Sequence, residues 1–259
     1  MSTLSQVPVS TFGGPTALLD YGGLRVLTDP TFDEPGAYHL PGGPVLTKTE
    51  PSRTTSADVG PIDIVLLSHD GHVDNLDTSG RELLPHAALT LTTPSGGKRL
   101  SAALGTKAKG LADWQSVDVD RPDGGTITVT GVPALHGVGA RADVEARMGE
   151  VVGFVLTGQG LPSVYVSGDN ASLEAVREIA DRFGPIDTAV LFAGAPRPWG
   201  ELIVLDSAGA AEAAQILGAR RVVPVHYDSW EHLTEGRAEL TAAFSAAGLA
   251  DRLDWGQAT

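Results

Sequence analysis

The sequence predicts an α/β layered sandwich, with mixed sheets covered on their outer faces by helices. Two observations point there. Ile62–Ser68 (IDIVLLS) is a continuous apolar run, as a strand buried on both faces requires, and Ile186–Phe192 and Arg221–Val225 read as buried strands too. In the second half of the chain strands alternate with helical spacing, whereas the early strands form hairpins, and that mixture requires layers.

Taken in order, Thr16–Asp20 and Leu24–Thr28 pair through a turn at Tyr21-Gly22-Gly23. The stretch TDPTFDEPGAYHLPGGP follows as a long Pro/Gly-rich loop, and long loops in compact domains are often functional. Ile62–Ser68 and Ala87–Thr92 are strands. Thr126–Leu135 alternates and is β-branched, a strand again, and a Gly-Gln-Gly turn separates strands at Val151–Thr157 and Ser163–Ser167. Ala171–Phe183 spaces Leu173, Val176, Ile179, Ala180 and Phe183 along one helical face. Ser207–Leu217 is an Ala-rich helix, and Arg237–Ala247 is the last helix. No repeat, low-complexity segment or linker interrupts the chain, and its 32 glycines and 17 prolines are spread throughout, which predicts one domain over residues 1–259.

Composition excludes several functions. The net charge of −14 repels phosphate backbones and anionic membranes, so no nucleic-acid or membrane partner is expected. With no cysteine there is no disulfide framework, no thiolate nucleophile and no Cys-ligated zinc. The start, MSTLSQVPVS, lacks the basic and apolar regions of a signal peptide, and the expectation is a cytoplasmic protein.

The polar residues carry the chemistry. Four buried-looking strands each run into a metal-capable residue: His69 after IDIVLLS, His136 after ITVTGVPAL, Asp169 after SVYVSG and His226 after RVVPV. Strand ends on one edge of a sheet are where α/β proteins build sites. The first of them opens a dense cluster, SHDGHVDNLD, holding His69, Asp70, His72, Asp74, Asn75 and Asp77. Imidazoles and carboxylates in one turn converge on a cation, and Gly71 is expected to allow a tight turn with positive φ.

The opening TFGGPTALLDYGGLRVLTDP, the loop SHDGHVDNLD, and the stretches ALHG, YVSGDN and PVHYD stand in an order that resembles the metallo-β-lactamase superfamily. The likeness extends over nearly the whole chain and is nearest to the small hydrolases similar to ascorbate-6-phosphate lactonase. The resemblance implies an αββα sandwich with one or two divalent metals at the strand ends, zinc foremost and manganese or iron as alternatives. It implies that His69, His72 and His136 hold the first metal. Asp74, Asp169 and His226 would serve the second, with Asp169 bridging. Two departures stand out. His69 and His72 are three apart, one residue more than the family's loop. Asn75 replaces the loop's last histidine and offers only a neutral amide oxygen, a weak ligand. One tightly held metal, and a second held weakly or not at all, are therefore expected. Phe12 stands where many members place a histidine.

The implied activity is hydrolysis of a small ester, lactone or phosphoester by a metal-bound hydroxide, oriented by Asp74. The alternatives are a metal-binding protein of the same fold that has lost hydrolysis, and a metal-dependent phosphodiesterase. Tyr227 is the expected substrate or oxyanion contact. Asp29 is either a partner to a ligand histidine or a turn residue before Pro30. Tyr38, His39, Trp199, Asp228 and Trp230 lie in loops beside the presumed site. Arg141 and Arg147 either recognise an anionic substrate group or pair with acids on a solvated helix, as Arg141 and Glu145 do at i, i+4 spacing. His86 and His232 read as surface residues. SGGK at Ser95–Lys98 lacks the spacing of a phosphate loop. A small-molecule substrate is the expected partner, with a homo-oligomer left open.

Overall fold

Two six-stranded sheets stack face to face and helices cover both outer faces, in a computed structural model that describes residues 6–39 and 45–257. The chain opens with an antiparallel run, β1 (Val9–Gly13), β2 (Thr16–Tyr21) and β3 (Leu24–Thr28). A separate hairpin follows, β4 (Gly36–His39) and β5 (Val45–Lys48). The predicted long loop is therefore partly a strand, because Gly36–His39 pairs with Val45–Lys48, while residues 40–44 lie outside the described residues. β6 (Ile64–Leu66), β7 (Leu89–Thr92) and β8 (Ala108–Gly110) extend the first sheet in parallel, in the order β1-β2-β3-β6-β7-β8. α1 (Thr78–Leu83) and α2 (Pro94–Leu104) lie among these strands in sequence.

The second sheet comprises β9 (Ser116–Asp120), β10 (Thr126–Pro133), β11 (Val152–Gly158), β12 (Val164–Val166), β13 (Thr188–Phe192) and β14 (Arg221–Val225), in the order β14-β13-β12-β11-β10-β9. Between them come α3 (Arg141–Met148), α4 (Leu173–Phe183) and α5 (Ser207–Ile216), and α6 (Arg237–Ala246) follows β14. The expected helices and strands are present with ends shifted by a residue or two. β12, β13 and β14 are parallel, and β10 runs in the same sense because two antiparallel pairings separate it from β12.

Period-two alternation sorts each buried strand between two cores. Val26, Ile64 and Leu66 of the first sheet meet Phe154, Val166, Val190 and Phe192 of the second between the sheets. Leu27, Val65 and Leu67 face the other way, onto Leu83 and Leu100 of α1 and α2. Val155, Tyr165, Ala189 and Leu191 face Val176, Ile179, Ala210 and Leu240 of α4, α5 and α6. Each buried Val, Leu, Ile or Phe among them contributes about 1.5–3 kcal/mol by leaving water. Both faces of IDIVLLS are thus covered, which is why its sequence is apolar without interruption. Caps set the helix starts: Ser172 accepts from Ala175 N and Asp206 from Gly209 N. No helix among the described residues is long and apolar enough to cross a membrane.

Candidate metal centre

The C-terminal ends of β6, β10, β12 and β14 reach one edge of the sandwich and deliver His69, His136, Asp169 and His226 there. Two clusters form. In the first, ligand atoms of His69, His72, His136 and Asp169 all lie within 4.8 Å of one another. His69 Nε2 faces His72 Nδ1 at 2.8 Å, and His136 Nε2 faces the same nitrogen at 3.3 Å. Asp169 Oδ2 stands 3.5 Å from His136 Nε2. In the second, Asp74 Oδ2 lies 3.3 Å from His226 Nε2 and 2.9 Å from His232 Nε2.

Hydrogen bonds on the far side of each ring determine which nitrogen faces inward. His136 Nδ1–H donates to the Ile203 carbonyl at 2.7 Å. Ser68 gives its hydroxyl proton to Asp29 Oδ1 at 2.8 Å, so its oxygen is left to accept from His69 Nδ1 at 3.0 Å. Asp29 thereby holds His69 through Ser68, and also takes the Ser68 N–H at 2.9 Å. With Nδ1 spent in both rings, the Nε2 lone pairs point into the cluster. Burial drives His69 down to about 3 and also lowers His136, so both stay neutral and basic toward a cation.

The second cluster is charged instead. Burial disfavours a charge on His226, but Asp169 and then Asp74 outweigh it and lift the ring to about 10. Burial would likewise raise Asp74, yet the imidazoles of His226 and His232 beside it hold its carboxyl well below the usual range. Asp169 is held low, against burial, by His226 and His136. Its Oδ1 accepts from His226 Nδ1–H at 3.0 Å while its Oδ2 faces the first cluster. It joins the two clusters as a donor atom for one and an anchor for the other.

The backbone that seats these groups is close-packed. Gly168 sits at φ +58, and a Cβ there would come within 2.7 Å of Ser68 Cβ, so YVSGDN needs a glycine where the sheets meet. Asn170 ties the Asp169 turn to the approach of His136 by accepting from Leu135 N and Ser172 N, both at 3.0 Å. His226 itself has φ 54 and donates its N–H to the Gly14 carbonyl at 2.6 Å. Gly13 has φ +101, and a Cβ there would lie 2.8 Å from Ser229 Oγ. The glycine-rich opening is thus a bed for the His226 loop.

Several expectations are corrected. Gly71 does not adopt positive φ, and a Cβ on it would meet open space. The extra residue of SHDGHVDN is absorbed by turning Asp70 away from both clusters, toward Arg99 of α2, whose Nε donates to it at 2.9 Å. Asp77 caps α1 through Gly80 N at 2.8 Å and accepts from Asp33 N at 2.6 Å. Asn75 is fully buried, and neither atom of its carboxamide has a protein partner. Tyr227 leaves the site: its ring packs edge-on to Trp255 at 5.6 Å in the helix-side core, because the chain turns at His226. Arg141 pairs with Glu145 at 3.0 Å, and Arg147 with Glu201 at 3.3 Å, so both join exposed ion pairs. Tyr38 packs against the buried Trp230 at 5.8 Å, and Asp228 accepts from Gly14 N at 2.8 Å. Phe12 is core, His39 is exposed, and Trp199 stands 58% exposed beside Arg147.

His232 is the residue that sequence reading missed. It has no strand end of its own, and its one signal is position, six residues beyond His226 in HYDSWEH.

Known proteins are similar to this chain in sequence and fold. Residues 24–227 match the family model described as the beta-lactamase superfamily domain. A UPF0173 metal-dependent hydrolase of Rubrobacter xylanophilus is 30% identical over 223 residues, spanning 82% of this chain and 85% of the relative. One from Methanosphaerula palustris is 34% identical over 170 residues, spanning 65% and 69%. The crystal structure of an isothiocyanate hydrolase from Delia radicum gut bacteria superposes with a TM-score of 0.78 at 21% identity, over 96% of this chain and 97% of that one. The fold, the family match and these relatives together establish that the chain belongs to the metallo-β-lactamase superfamily, among its metal-dependent hydrolases.

Proposed function

We propose that this chain hydrolyses a small ester, lactone or phosphoester at the two clusters, with at least one divalent metal held by His69, His72, His136 and Asp169. One observation carries the reading. Three inward imidazole nitrogens and a carboxylate oxygen share a space 4.8 Å across, and the 3.3 Å edge between His72 and His136 matches the ~3.4 Å that separates two ligands on a tetrahedral ion. His72 Nδ1–H has one proton to offer both His69 Nε2 and His136 Nε2, and a buried acceptor left without a full hydrogen bond is unfavourable. The donor set of imidazole and carboxylate suits zinc, and equally manganese or iron.

A bound divalent ion supplies there a nucleophilic hydroxide at neutral pH and a Lewis acid for the scissile carbonyl or phosphoryl oxygen. The residues around it do the remaining work. Asp74 Oδ1 is buried without a protein partner and would be free to accept a hydrogen bond from the nucleophile and orient it toward the substrate. Asp29 and Ser68 keep His69 in the tautomer that leaves Nε2 free. His72 and His232 are the half-buried members, so substrate approaches across them. With Arg141 and Arg147 engaged by acids, an anionic substrate would be met by the metal rather than by arginine.

The test is elemental analysis of protein purified without added metal, together with turnover of a lactone, ester and phosphodiester panel before and after chelation. Metal at one equivalent or more, and hydrolysis that chelator abolishes and metal restores, are expected. A metal-free protein, or turnover that chelator leaves intact, would overturn the reading.

A further inference from the structure

We infer that His232 is a ligand of a second metal site, with Asp74 and His226, and that it takes over the task of the loop histidine replaced by Asn75. The inference rests on the proposed metal-dependent function and departs from the expectation that the second metal is weakly held. Three observations carry it.

First, Asp74 Oδ2 faces both imidazoles, at 2.9 Å from His232 Nε2 and 3.3 Å from His226 Nε2, and the three ligand atoms lie within 4.8 Å of one another. The His226 separation is close to the ~3.4 Å between neighbouring ligands on a tetrahedral ion, and the shorter His232 one is a hydrogen bond whose proton a cation would replace. Secondly, the cluster holds buried polar atoms that the protein itself leaves unsatisfied: His226 Nε2 and Asp74 Oδ1 have no hydrogen-bond partner, although both residues are nine-tenths buried or more. Unpaired buried groups are costly, and a cation shared among them removes the cost.

Thirdly, His232 is held in place. Trp230 is 3% exposed, Glu231 N donates to Thr47 O at 2.9 Å, Thr49 N to Ser229 O at 2.8 Å, and Thr234 N to Gly194 O at 2.8 Å. The loop from His226 to Thr234 is therefore tied to β5 on one side and to the end of β13 on the other. A side chain pinned in this way gives up little further freedom on binding a metal. Asn75 is buried nearby in sequence to Asp74, but a carboxamide is a poor donor for a first-row ion compared with imidazole.

The experiment titrates full-length protein, stripped by chelator, with zinc and in parallel with manganese, and counts equivalents retained after gel filtration. Wild type should bind two per chain. His232→Ala should bind the first with unchanged affinity and the second at least ~10-fold more weakly, since even residues behind the ligands cost 10- to 100-fold. His232→Gln keeps a hydrogen-bonding group of similar reach without the imidazole, and should lose the second equivalent alike, whatever alanine does to the loop. His86→Ala, a histidine outside both clusters, should match wild type. Retention of the second equivalent at wild-type affinity in both His232 variants would overturn the inference, as would an equal loss in His86→Ala. A wild type that stops at one equivalent while hydrolysing the panel would also overturn it and leave the proposed function standing. A wild type that binds none would overturn that function.

Discussion

The two clusters sit a few ångströms apart and share Asp169, yet they are prepared in opposite ways. In the first, burial leaves His69 and His136 neutral, and a serine–aspartate pair and a backbone carbonyl orient them from behind. In the second, carboxylates surround His226 closely enough to keep it protonated well above neutral pH. The difference teaches how one strand-edge site divides its labour. Three imidazoles and one carboxylate make a neutral, ready acceptor for a cation. Two carboxylates around two imidazoles make a self-compensated ion network that must give up a proton before it takes a metal.

The comparison breaks most visibly at His136. His136→Ala removes a ligand of the first cluster and the Ile203 hydrogen bond together, so tight metal binding and turnover should fall at least ~100-fold, beyond the range seen when only a ligand's supporting partner is lost. Metal content and kcat/KM of the purified variant measure it. Wild-type metal retention would show that the first cluster is not the tight site.

A pH series on metal-free protein sharpens the electrostatic half of the contrast. The raised His226 pKa means that the folded state binds its proton more tightly than the unfolded chain. Its stabilising contribution is complete below the unfolded value of about 6.5 and disappears as pH climbs to about 10. The lowered Asp74 and Asp169 act in the other direction, their contribution present above about 3.9 and lost as pH falls below it. The gap in melting temperature between wild type and His226→Gln, both chelated, should therefore narrow from pH 6.5 toward pH 10. A gap that widens over that range contradicts a charged His226.

The smallest effect belongs to Asp70, which stands in the same loop as the ligands but outside both clusters. Asp70→Ala loses an ion pair with the half-exposed Arg99, worth about 0–1 kcal/mol, and should leave metal content unchanged. Loss of metal would return Asp70 to the coordination sphere.

Much of this was legible beforehand. The runs of buried strand, the helices at Ala171–Phe183 and Ser207–Leu217, and the four strand ends carrying His69, His136, Asp169 and His226 are local patterns. Alternation and burial write them directly into the chain. The hairpin β4–β5 was hidden because Gly36–His39 is mostly exposed and carries no apolar alternation. Asp29 was legible only as a choice between two roles, since its link to His69 passes through a serine that the sequence does not flag.

The amino-acid sequence by itself determined the layered fold and the strand ends that carry His69, His136, Asp169 and His226, because alternation and burial are patterns of a few consecutive residues, whereas the grouping of His69, His72 and His136 came from the family resemblance. The tertiary structure decided which carboxylate of SHDGHVDNLD turns inward, that Tyr227 turns away, and that His232 meets Asp74 across a separation of 158 residues. Those outcomes depend on Arg99 drawing Asp70 aside, on the turn at His226, and on a loop pinned between β5 and the end of β13. Such contacts join distant segments, and no local spacing encodes them.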